Sequence, residues 1–171
     1  MSLDVYLIVD DNITVKKGTG IRENGGTIEL TPDQVKERYP DYVIEESSDE
    51  YSTYITNEID VGNITHNLGE MAEKAGLYDT IWRPYRLHPD YKKEYEDTDK
   101  EYEFEDNHNI TAGQILNSLK IGYQELTQNP EKYKKFNPEN GWGTYEQLCK
   151  FTENYIVECS NRPNAKVVVS R

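Results

Sequence analysis

Apolar and polar residues follow two different spacings along this chain, and the spacings predict where strands and helices lie. Residues 3–9 (LDVYLIV) are apolar on both faces, which is typical of a strand covered on both sides. Residues 167–169 have the same character. Residues 42–44 and 51–59 are expected to be extended, the second because it is rich in β-branched and aromatic side chains.

Apolar residues at helical spacing follow three threonines, and each threonine is expected to cap a helix. The first helix starts at Thr65 and stops at Gly76, because glycine favours the left-handed conformation that ends helices. Thr111 and Thr144 each precede a glutamine at the third helical position, the pattern of a capping box. The residues expected on the buried faces are Leu68, Met71, Ala72, Ala75, Ile115, Leu116, Leu119, Tyr123, Leu126, Leu148, Phe151, Tyr155, Ile156 and Cys159.

Two shorter helices complete the predicted set. Residues 31–34 (TPDQ) combine a capping threonine with a proline at the first helical position, and they predict a short helix ending before Pro40. Asn129 and Pro130 open another, which ends around Phe136. Regular βαβ alternation is missing, so we expect an α+β fold. It is a single compact domain, with a mixed or antiparallel sheet, N- and C-terminal strands central, and about three main helices packed on it.

Charge restricts the partners that the chain is expected to have. The formal net charge of −13 disfavours general binding to nucleic acid or to an anionic membrane. Much of this charge lies in residues 94–106 (EYEDTDKEYEFED), which contain eight acidic residues and one lysine. The mean hydropathy of −0.90 is polar for a folded protein. The 14 tyrosines compensate, because a tyrosine ring can fill a core while its hydroxyl group stays in water.

The sequence also predicts a cytoplasmic location. No stretch of the chain has the apolar length of a transmembrane helix, and the N-terminus lacks the basic and apolar regions of a secretory signal. Cys149 and Cys159 lie too far apart along one predicted helix to form a disulfide. Two unpaired cysteines are typical of a reducing compartment.

The first candidate binding segment is residues 63–67 (NITHN). A helix N-terminus offers unpaired backbone N–H groups to an anion, and His66 and Asn67 would project from the first turn as donors. Asn63 and Thr65 complete this candidate set. The alternative is that Thr65 only caps the helix, Asn63 makes a turn and His66 is exposed.

The second candidate is Trp82 with Arg83. The following Pro84 forces Arg83 into an extended conformation, from which its guanidinium group could bind a carboxylate or phosphate beside the indole face. The alternative is a buried Trp82 and an Arg83 paired with one of the many acidic residues.

The third candidate is Gly141, Trp142, Gly143 and Thr144. The glycines favour a tight turn and let the backbone approach a ligand closely, so that successive amides could hold an anion below a stacked indole. The alternative is a corner between two helices with Trp142 as its plug. If the three segments meet, they predict a pocket for a flat anionic ligand such as a nucleotide.

Catalytic residues are harder to find in the sequence. The three histidines, His66, His88 and His108, share no metal-ligand spacing with cysteine or carboxylate residues. Phosphate-binding loops, dinucleotide fingerprints and nucleophile elbows are missing. We therefore expect a binding protein with no metal and no cofactor. If the protein is an enzyme, His66 is the candidate general base.

The acidic segment, residues 94–106, alternates charged and aromatic residues. An extended segment of this kind would present acids on one face and rings on the other, as in a solvated edge hairpin. The alternative is a mimic of the DNA phosphate track that acts on a basic host protein.

Several of these motifs together resemble a family of small proteins encoded by bacteriophages and prophages. The resemblance lies in residues 63–69 (NITHNLG), 75–84 (AGLYDTIWRP), 140–146 (NGWGTYE) and 167–171 (VVVSR). It covers the start of the chain and most of residues 54–171. The family has no settled activity, so the resemblance implies a phage setting rather than a function.

Relative to that family, the chain carries additional sequence at about 10–50 and 86–110, which are expected to be inserts in the domain. The phage setting and the predicted pocket suggest an accessory protein that sequesters a nucleotide, such as a host immune signal, as a counter-defence sponge. Arg171 is a further candidate ligand-binding residue, and a homo-oligomer is expected because exposed tyrosines suit a subunit interface. The alternatives are an acidic inhibitor of a host protein and a small nucleotide hydrolase that uses His66.

Overall fold

The computed structural model of the chain describes residues 2–9, 14–17, 21–23, 26–28, 37, 43–45, 53–56, 58–96 and 99–170. The chain forms two compact units. The first contains Met1–Leu7 and Asp60–Arg171, and the second contains Ile8–Ile59. The insert predicted at about 10–50 falls inside the second unit. A single domain with another insert at about 86–110 stays a prediction.

The strands and helices with described bounds fall into blocks along the chain, with seven strands first, then the helices, and one strand at the end. The strands are β1 (Ser2–Ile8), β2 (Thr14–Lys17), β3 (Ile21–Glu23), β4 (Gly26–Ile28), β5 (Val43–Glu45), β6 (Thr53–Thr56), β7 (Glu58–Thr65) and β8 (Lys166–Ser170). The helices with described bounds are α1 (Gly69–Lys74), α2 (Tyr78–Trp82), α3 (Asp99–Asn107), α4 (Ala112–Gln128), α5 (Pro130–Tyr133) and α6 (Tyr145–Asn161). The α+β class is confirmed.

The second unit contains two small sheets. In one, β2 lies between β5, to which it is parallel, and β6, to which it is antiparallel. In the other, β3 and β4 pair antiparallel. The expected strand over residues 51–59 is divided, because β6 pairs with β2 while β7 belongs to the sheet of β1. Glu37 is helical, and the rest of the short helix predicted from residue 31 to before Pro40 lies outside the described residues.

The main sheet is antiparallel, with the strand order β7-β1-β8. β1 is central as predicted, but β8 lies at the end of this order. Part of its outer edge is instead covered by the chain before α4, where the Val167 amide donates to the Ile110 carbonyl at 2.9 Å. Burial in β1 alternates: Leu3, Val5 and Leu7 are buried, and the intervening residues are partly exposed. One face of β1 is therefore fully covered, not both.

The helices predicted from threonine caps are confirmed. A 3-10 turn, His66–Leu68, follows Thr65 and continues into α1, which ends before Gly76 with its left-handed φ of 72°. Thr111 forms the predicted capping box at the start of α4. Of the apolar residues expected to be buried, three are partly exposed, namely Leu116, Tyr123 and Ile156. Within the described part of the chain, we find no helix with the length and apolar character needed to cross a membrane.

The acidic segment is helical, which corrects the expected edge hairpin. Lys93–Tyr95 forms a 3-10 turn, and α3 covers most of the remainder. The helix is favoured over a strand because Glu101 and Phe104, three residues apart, are both buried on the same side of α3. The alternation of acidic and aromatic residues in the sequence fits a strand equally well. A strand would place Glu101 and Phe104 on opposite faces, however, whereas a helix buries both on one side.

Candidate ligand-binding cleft

An open cleft of about 440 Å³ lies in the first unit, between the end of β7 and the first half of α6. Its walls are largely apolar, with three side-chain amides and one lysine. The lining residues are Val61, Asn63, Ile64, Thr65, Leu68, Trp142, Gly143, Gln147, Lys150, Phe151 and Asn154. The first and third segments selected from the sequence therefore meet at one cleft.

Gly143 allows these two segments to pack together. Its φ of 105° lies in the left-handed region, where side chains other than glycine are strained. A Cβ atom at this position would lie 2.7 Å from Cγ2 of Thr65 and 2.8 Å from Cγ of Leu68. The loop before α6 can thus lie against the turn after β7 only while residue 143 has no side chain.

Trp142 is the exposed aromatic residue of the cleft. Its relative exposure is 71%, although it sits beside an apolar wall that includes Phe151. The loop that carries it is held by contacts between its own residues. The Trp142 amide donates to Oδ1 of Asn140 at 2.9 Å, and Gly141 adopts a φ of 73°. A large indole held in water at the mouth of a cleft offers a face on which a flat ring can stack.

Three backbone amides near the cleft donate to side chains within the protein. Thr65 Oγ1 accepts from the Asn67 amide at 3.4 Å, and Thr144 Oγ1 accepts from the Gln147 amide at 3.2 Å. The Tyr145 amide donates to Oδ1 of Asn137 at 2.7 Å. These caps disfavour an anion site built from helix starts. Among the lining residues, the positive charge is that of Lys150.

Two asparagines in the cleft are fixed by their own amide groups. Asn63 Nδ2 donates to Oδ1 of Asp4 at 2.6 Å, and Asn154 Nδ2 donates to the Val61 carbonyl at 2.7 Å. Each side chain is therefore anchored through a donor. Its Oδ1 atom is left to accept a hydrogen bond from a ligand.

Trp82 and Arg83 do not line the cleft, and this corrects the expected meeting of all three segments. Trp82 is 1% exposed, and its ring stacks on Tyr78 at 5.4 Å between centroids. Arg83 Nη1 donates to the Tyr85 hydroxyl at 2.9 Å and lies 3.6 Å from Oε2 of Glu101. The alternative interpretation, a buried indole beside a paired arginine, describes this segment.

A second arginine completes the ion-pair cluster around Glu101. Arg86 Nε donates to Oε1 of Glu101 at 2.8 Å, and Arg86 Nη1 donates to Oδ1 of Asp79 at 3.2 Å. Burial disfavours the charged form of Glu101, but the hydrogen bonds from Arg86 and Tyr85 and the charges of both arginines outweigh burial and lower its pKa. This arrangement holds α3 against the rest of the unit. It also pairs the guanidinium groups of Arg83 and Arg86 within the protein, where they would otherwise be available to an anionic ligand.

The histidines do not form a catalytic group with the cleft. The His66 ring contacts Trp82 edge-on at 6.1 Å and is not among the lining residues. The ring centroids of His88 and His108 lie 5.3 Å apart, and the His108 ring stacks on Phe104. Among the described residues, no cluster of three or more histidine, cysteine or acidic side chains could hold a metal ion.

The cysteine thiols are poor nucleophiles. Burial raises the pKa of Cys159 to about 12, and burial is also the main cause of the raised pKa of Cys149. Both thiols therefore stay protonated near neutral pH, while the reactive form of cysteine is the thiolate.

The remaining predicted residues lie near the cleft or outside the described chain. Asn67, Gly141 and Thr144 adjoin lining residues without lining the cleft, and Arg171 lies outside the described residues. The cleft wall formed by α6 is not among the segments predicted from the sequence. Its signal was present, because Gln147, Lys150 and Asn154 recur at three- and four-residue spacing and so share one helix face.

The fold and the cleft define an α+β protein with a mainly neutral cleft that has an exposed tryptophan at its mouth. Comparison with known proteins gives no match to a family model, to a curated protein or to a solved structure. The resemblance to phage-encoded proteins therefore stays a prediction, and the function is argued from the cleft.

Proposed function

We propose that the cleft binds a nucleotide and that the protein sequesters it, as a phage accessory protein directed against a host signal. The observation that carries the proposal is Trp142, which is exposed on a glycine-flanked loop at the mouth of an apolar cleft. Solvating a tryptophan in this way stabilises nothing in the fold. Stacking on a planar ring would remove the indole face from water.

The polar groups of the cleft suit the edge of a nucleobase. Oδ1 of Asn63 and Oδ1 of Asn154 are acceptors, since each Nδ2 already donates within the chain. Val61 and Phe151 provide apolar contact below the ring. We expect a base with an exocyclic amino group to bind more tightly than uracil, because it supplies the donors that these oxygens need.

Charge favours a ligand with few phosphates. Lys150 can pair with one phosphate group, but the protein carries a net charge of −13 and repels polyanions. A cyclic or linear monophosphate therefore fits better than a triphosphate. Sequestration rather than turnover is proposed because the described residues that line the cleft include no histidine, cysteine or acidic side chain that could serve as base or nucleophile.

A thermal-shift series tests the proposal directly. Nucleosides, cyclic nucleotides, linear monophosphates and triphosphates are compared at millimolar concentration, and binders are measured by calorimetry. We expect the monophosphates of amino-substituted bases to raise the melting temperature most, by ligand linkage. If none of the compounds stabilises the protein, nucleotide binding is excluded.

A pair of matched variants assigns the binding to the cleft. Trp142→Ala removes the stacking face and is expected to weaken the best nucleotide about tenfold, since base–aromatic stacking contributes about 1–3 kcal/mol. Tyr102→Ala is the control, because Tyr102 is also an exposed aromatic residue, at 57%, and lies on α3 outside the cleft. Mass spectrometry of the ligand recovered after heating separates storage from hydrolysis, since a sequestered nucleotide returns intact.

The alternative function, an acidic inhibitor of a host protein, cannot be tested by deleting the acidic segment. Glu101 and Phe104 are buried parts of α3, so removing residues 94–106 would damage the fold as well as the charge. Glu103→Gln with Asp106→Asn neutralises exposed acids and leaves the core intact. Loss of binding to a basic host protein in this variant, with nucleotide binding unchanged, would favour inhibition by charge mimicry.

A further inference from the structure

Asp4, on β1, lies outside the lining of the cleft but contacts one of the residues that form it. Its Oδ1 atom accepts a hydrogen bond from Nδ2 of Asn63 at 2.6 Å. The two residues are 59 positions apart in the chain, and they meet because β1 and β7 are neighbours in the main sheet. Since Asp4 is not among the lining residues, its effect on a bound ligand passes through Asn63.

The backbone of β7 changes the direction of its side chains just before Asn63. Ile59 and Val61 are buried at the two-residue spacing of a strand, but the next buried residue is Ile64. Gly62 lies at this shift, with a φ of 132° that other residues adopt only with strain. Asn63 is therefore exposed at the cleft instead of continuing the buried row of Val61.

The contact with Asp4 fixes which end of the Asn63 amide is available to a ligand. An ionised carboxylate only accepts hydrogen bonds, so it pairs with the NH2 end of the amide and repels the carbonyl end. Oδ1 of Asn63 is then the end left for a ligand. Without the carboxylate, rotation of the amide would present its NH2 group instead, because the two ends are nearly equal in size.

Asn154 provides an internal reference for this effect. Its Nδ2 atom donates to the backbone carbonyl of Val61 at 2.7 Å. A backbone carbonyl is an acceptor whatever side chain its residue carries. The orientation of the Asn154 amide is thus set by the fold, whereas that of Asn63 is set by a side chain that can be replaced.

We propose that Asp4 is a positioning residue, which sets the base preference of the cleft by holding Asn63 as a hydrogen-bond acceptor. The inference rests on the proposed nucleotide binding and adds a residue that determines its specificity. While Asp4 carries a carboxylate, the cleft presents two amide oxygens, which favour a base with an exocyclic amino group. A group that both donates and accepts in place of the carboxylate removes this selection at Asn63 and leaves it at Asn154.

Asp4→Asn tests the proposal, because it keeps the shape of the side chain and pairs with either end of the Asn63 amide. Calorimetry compares adenosine with inosine monophosphate, and cytidine with uridine monophosphate, since in each pair a keto group replaces an amino group. We expect wild type to bind the amino member about fivefold more tightly, and the ratio to fall to about twofold in Asp4→Asn. The change should include tighter binding of the keto member relative to the amino member, a result that general damage to the cleft would not produce.

Two further variants serve as controls. Asp106→Asn makes the same change of net charge from an exposed position on α3 that does not line the cleft. A general effect of charge acts on both members of a pair equally, so this variant should keep the wild-type ratio. Asp4→Glu retains a carboxylate and should retain the preference for amino bases. An unchanged ratio in a folded Asp4→Asn variant, or equal weakening of both members, overturns the proposal.

Nuclear magnetic resonance of the ligand-free protein tests the contact separately from nucleotide binding. The Nδ2 protons of Asn63 should exchange with solvent more slowly in wild type than in Asp4→Ala, where they should exchange as fast as those of Asn117, an exposed residue of α4. Equal exchange in both proteins shows that Asp4 does not hold the amide and overturns this inference even if nucleotides bind. Failure of wild type to bind any of the four nucleotides, with the amide protected, instead removes the proposed function and the base preference with it.

Discussion

The two tryptophans of this protein have different neighbours in the sequence and opposite exposure in the fold. Trp82 precedes an arginine and a proline, is 1% exposed and stacks on Tyr78. Trp142 lies between two glycines and is 71% exposed. The neighbouring polar groups differ in the same way, because Arg83 is paired with Glu101 while the cleft keeps asparagine oxygens available to a ligand. Burial and satisfied partners, rather than residue type, therefore distinguish the core residue Trp82 from Trp142, the candidate ligand contact.

The sharpest way to break this comparison is to truncate each tryptophan. Trp82→Ala is expected to reduce the free energy of unfolding by roughly 3–5 kcal/mol, because it leaves a cavity in the core. Trp142→Ala should change it by no more than about 0.5 kcal/mol, as for most exposed sites. Urea denaturation of both variants measures the difference. Similar losses in the two variants would show that Trp142 also supports the fold.

The ion-pair cluster allows a second test, and this one depends on pH. Glu101→Gln removes the carboxylate that pairs with Arg83 and with Nε of Arg86, while Arg86 keeps its contact with Asp79. This is expected to cost about 2–3 kcal/mol at pH 7, less than a fully buried pair, because both arginines are partly exposed. The folded-state pKa of Glu101 is lowered from its ordinary value of 4.5. Its contribution is therefore present above that pH and is lost as the pH falls through the folded-state pKa.

Denaturation of wild type and Glu101→Gln between pH 7 and pH 2 checks the sign. The two curves of stability against pH should converge in acid, because protonated Glu101 resembles glutamine. A gap that stays constant with pH would mean that Glu101 contributes through packing and not through its charge.

The two glycines beside Trp142 provide a smaller, more local test. Gly143→Ala is expected to cost about 2 kcal/mol, since it combines a strained backbone with contact against Thr65 and Leu68. Gly141→Ala should cost only about 1 kcal/mol, because its φ is also left-handed but nothing lies within 4 Å of the added Cβ atom. Thermal unfolding and nucleotide titration are measured on both. Only Gly143→Ala should also weaken nucleotide binding, because it displaces one wall of the cleft.

The sequence predicts the local parts of this molecule well. Thr65, Thr111 and Thr144 act within one helical turn, so a capping pattern is enough to locate the helices that they start. The helix over the acidic segment was missed for the opposite reason. Its preference over a strand comes from the burial of Glu101 and Phe104, which depends on partners such as Arg86 that are distant in sequence.

The cleft shows the same limit. The contribution of Trp142 follows from its glycine neighbours, but the wall formed by Asn154 requires that α6 pack beside β7. The hydrogen bond that fixes Asn154 reaches Val61, 93 positions earlier in the chain. No local spacing contains that pairing, and none distinguishes the burial of Trp82 from the exposure of Trp142.

The smallest expected effect concerns Lys150, the one cationic side chain among the described residues that line the cleft. Lys150→Gln should weaken a bound monophosphate only about threefold, because an exposed ion pair contributes up to about 1 kcal/mol. Lys120→Gln is the matched control, since it makes the same change of net charge from an exposed position on α4 that does not line the cleft.

Calorimetry at low and high salt separates a direct ion pair with Lys150 from a general effect of net charge. Binding to wild type and to Lys120→Gln should weaken with added salt, while binding to Lys150→Gln should be nearly salt-independent, because screening acts on the charge pair and not on stacking against Trp142. Equal salt dependence in all three proteins would place the phosphate away from Lys150 and leave the indole as the main contact.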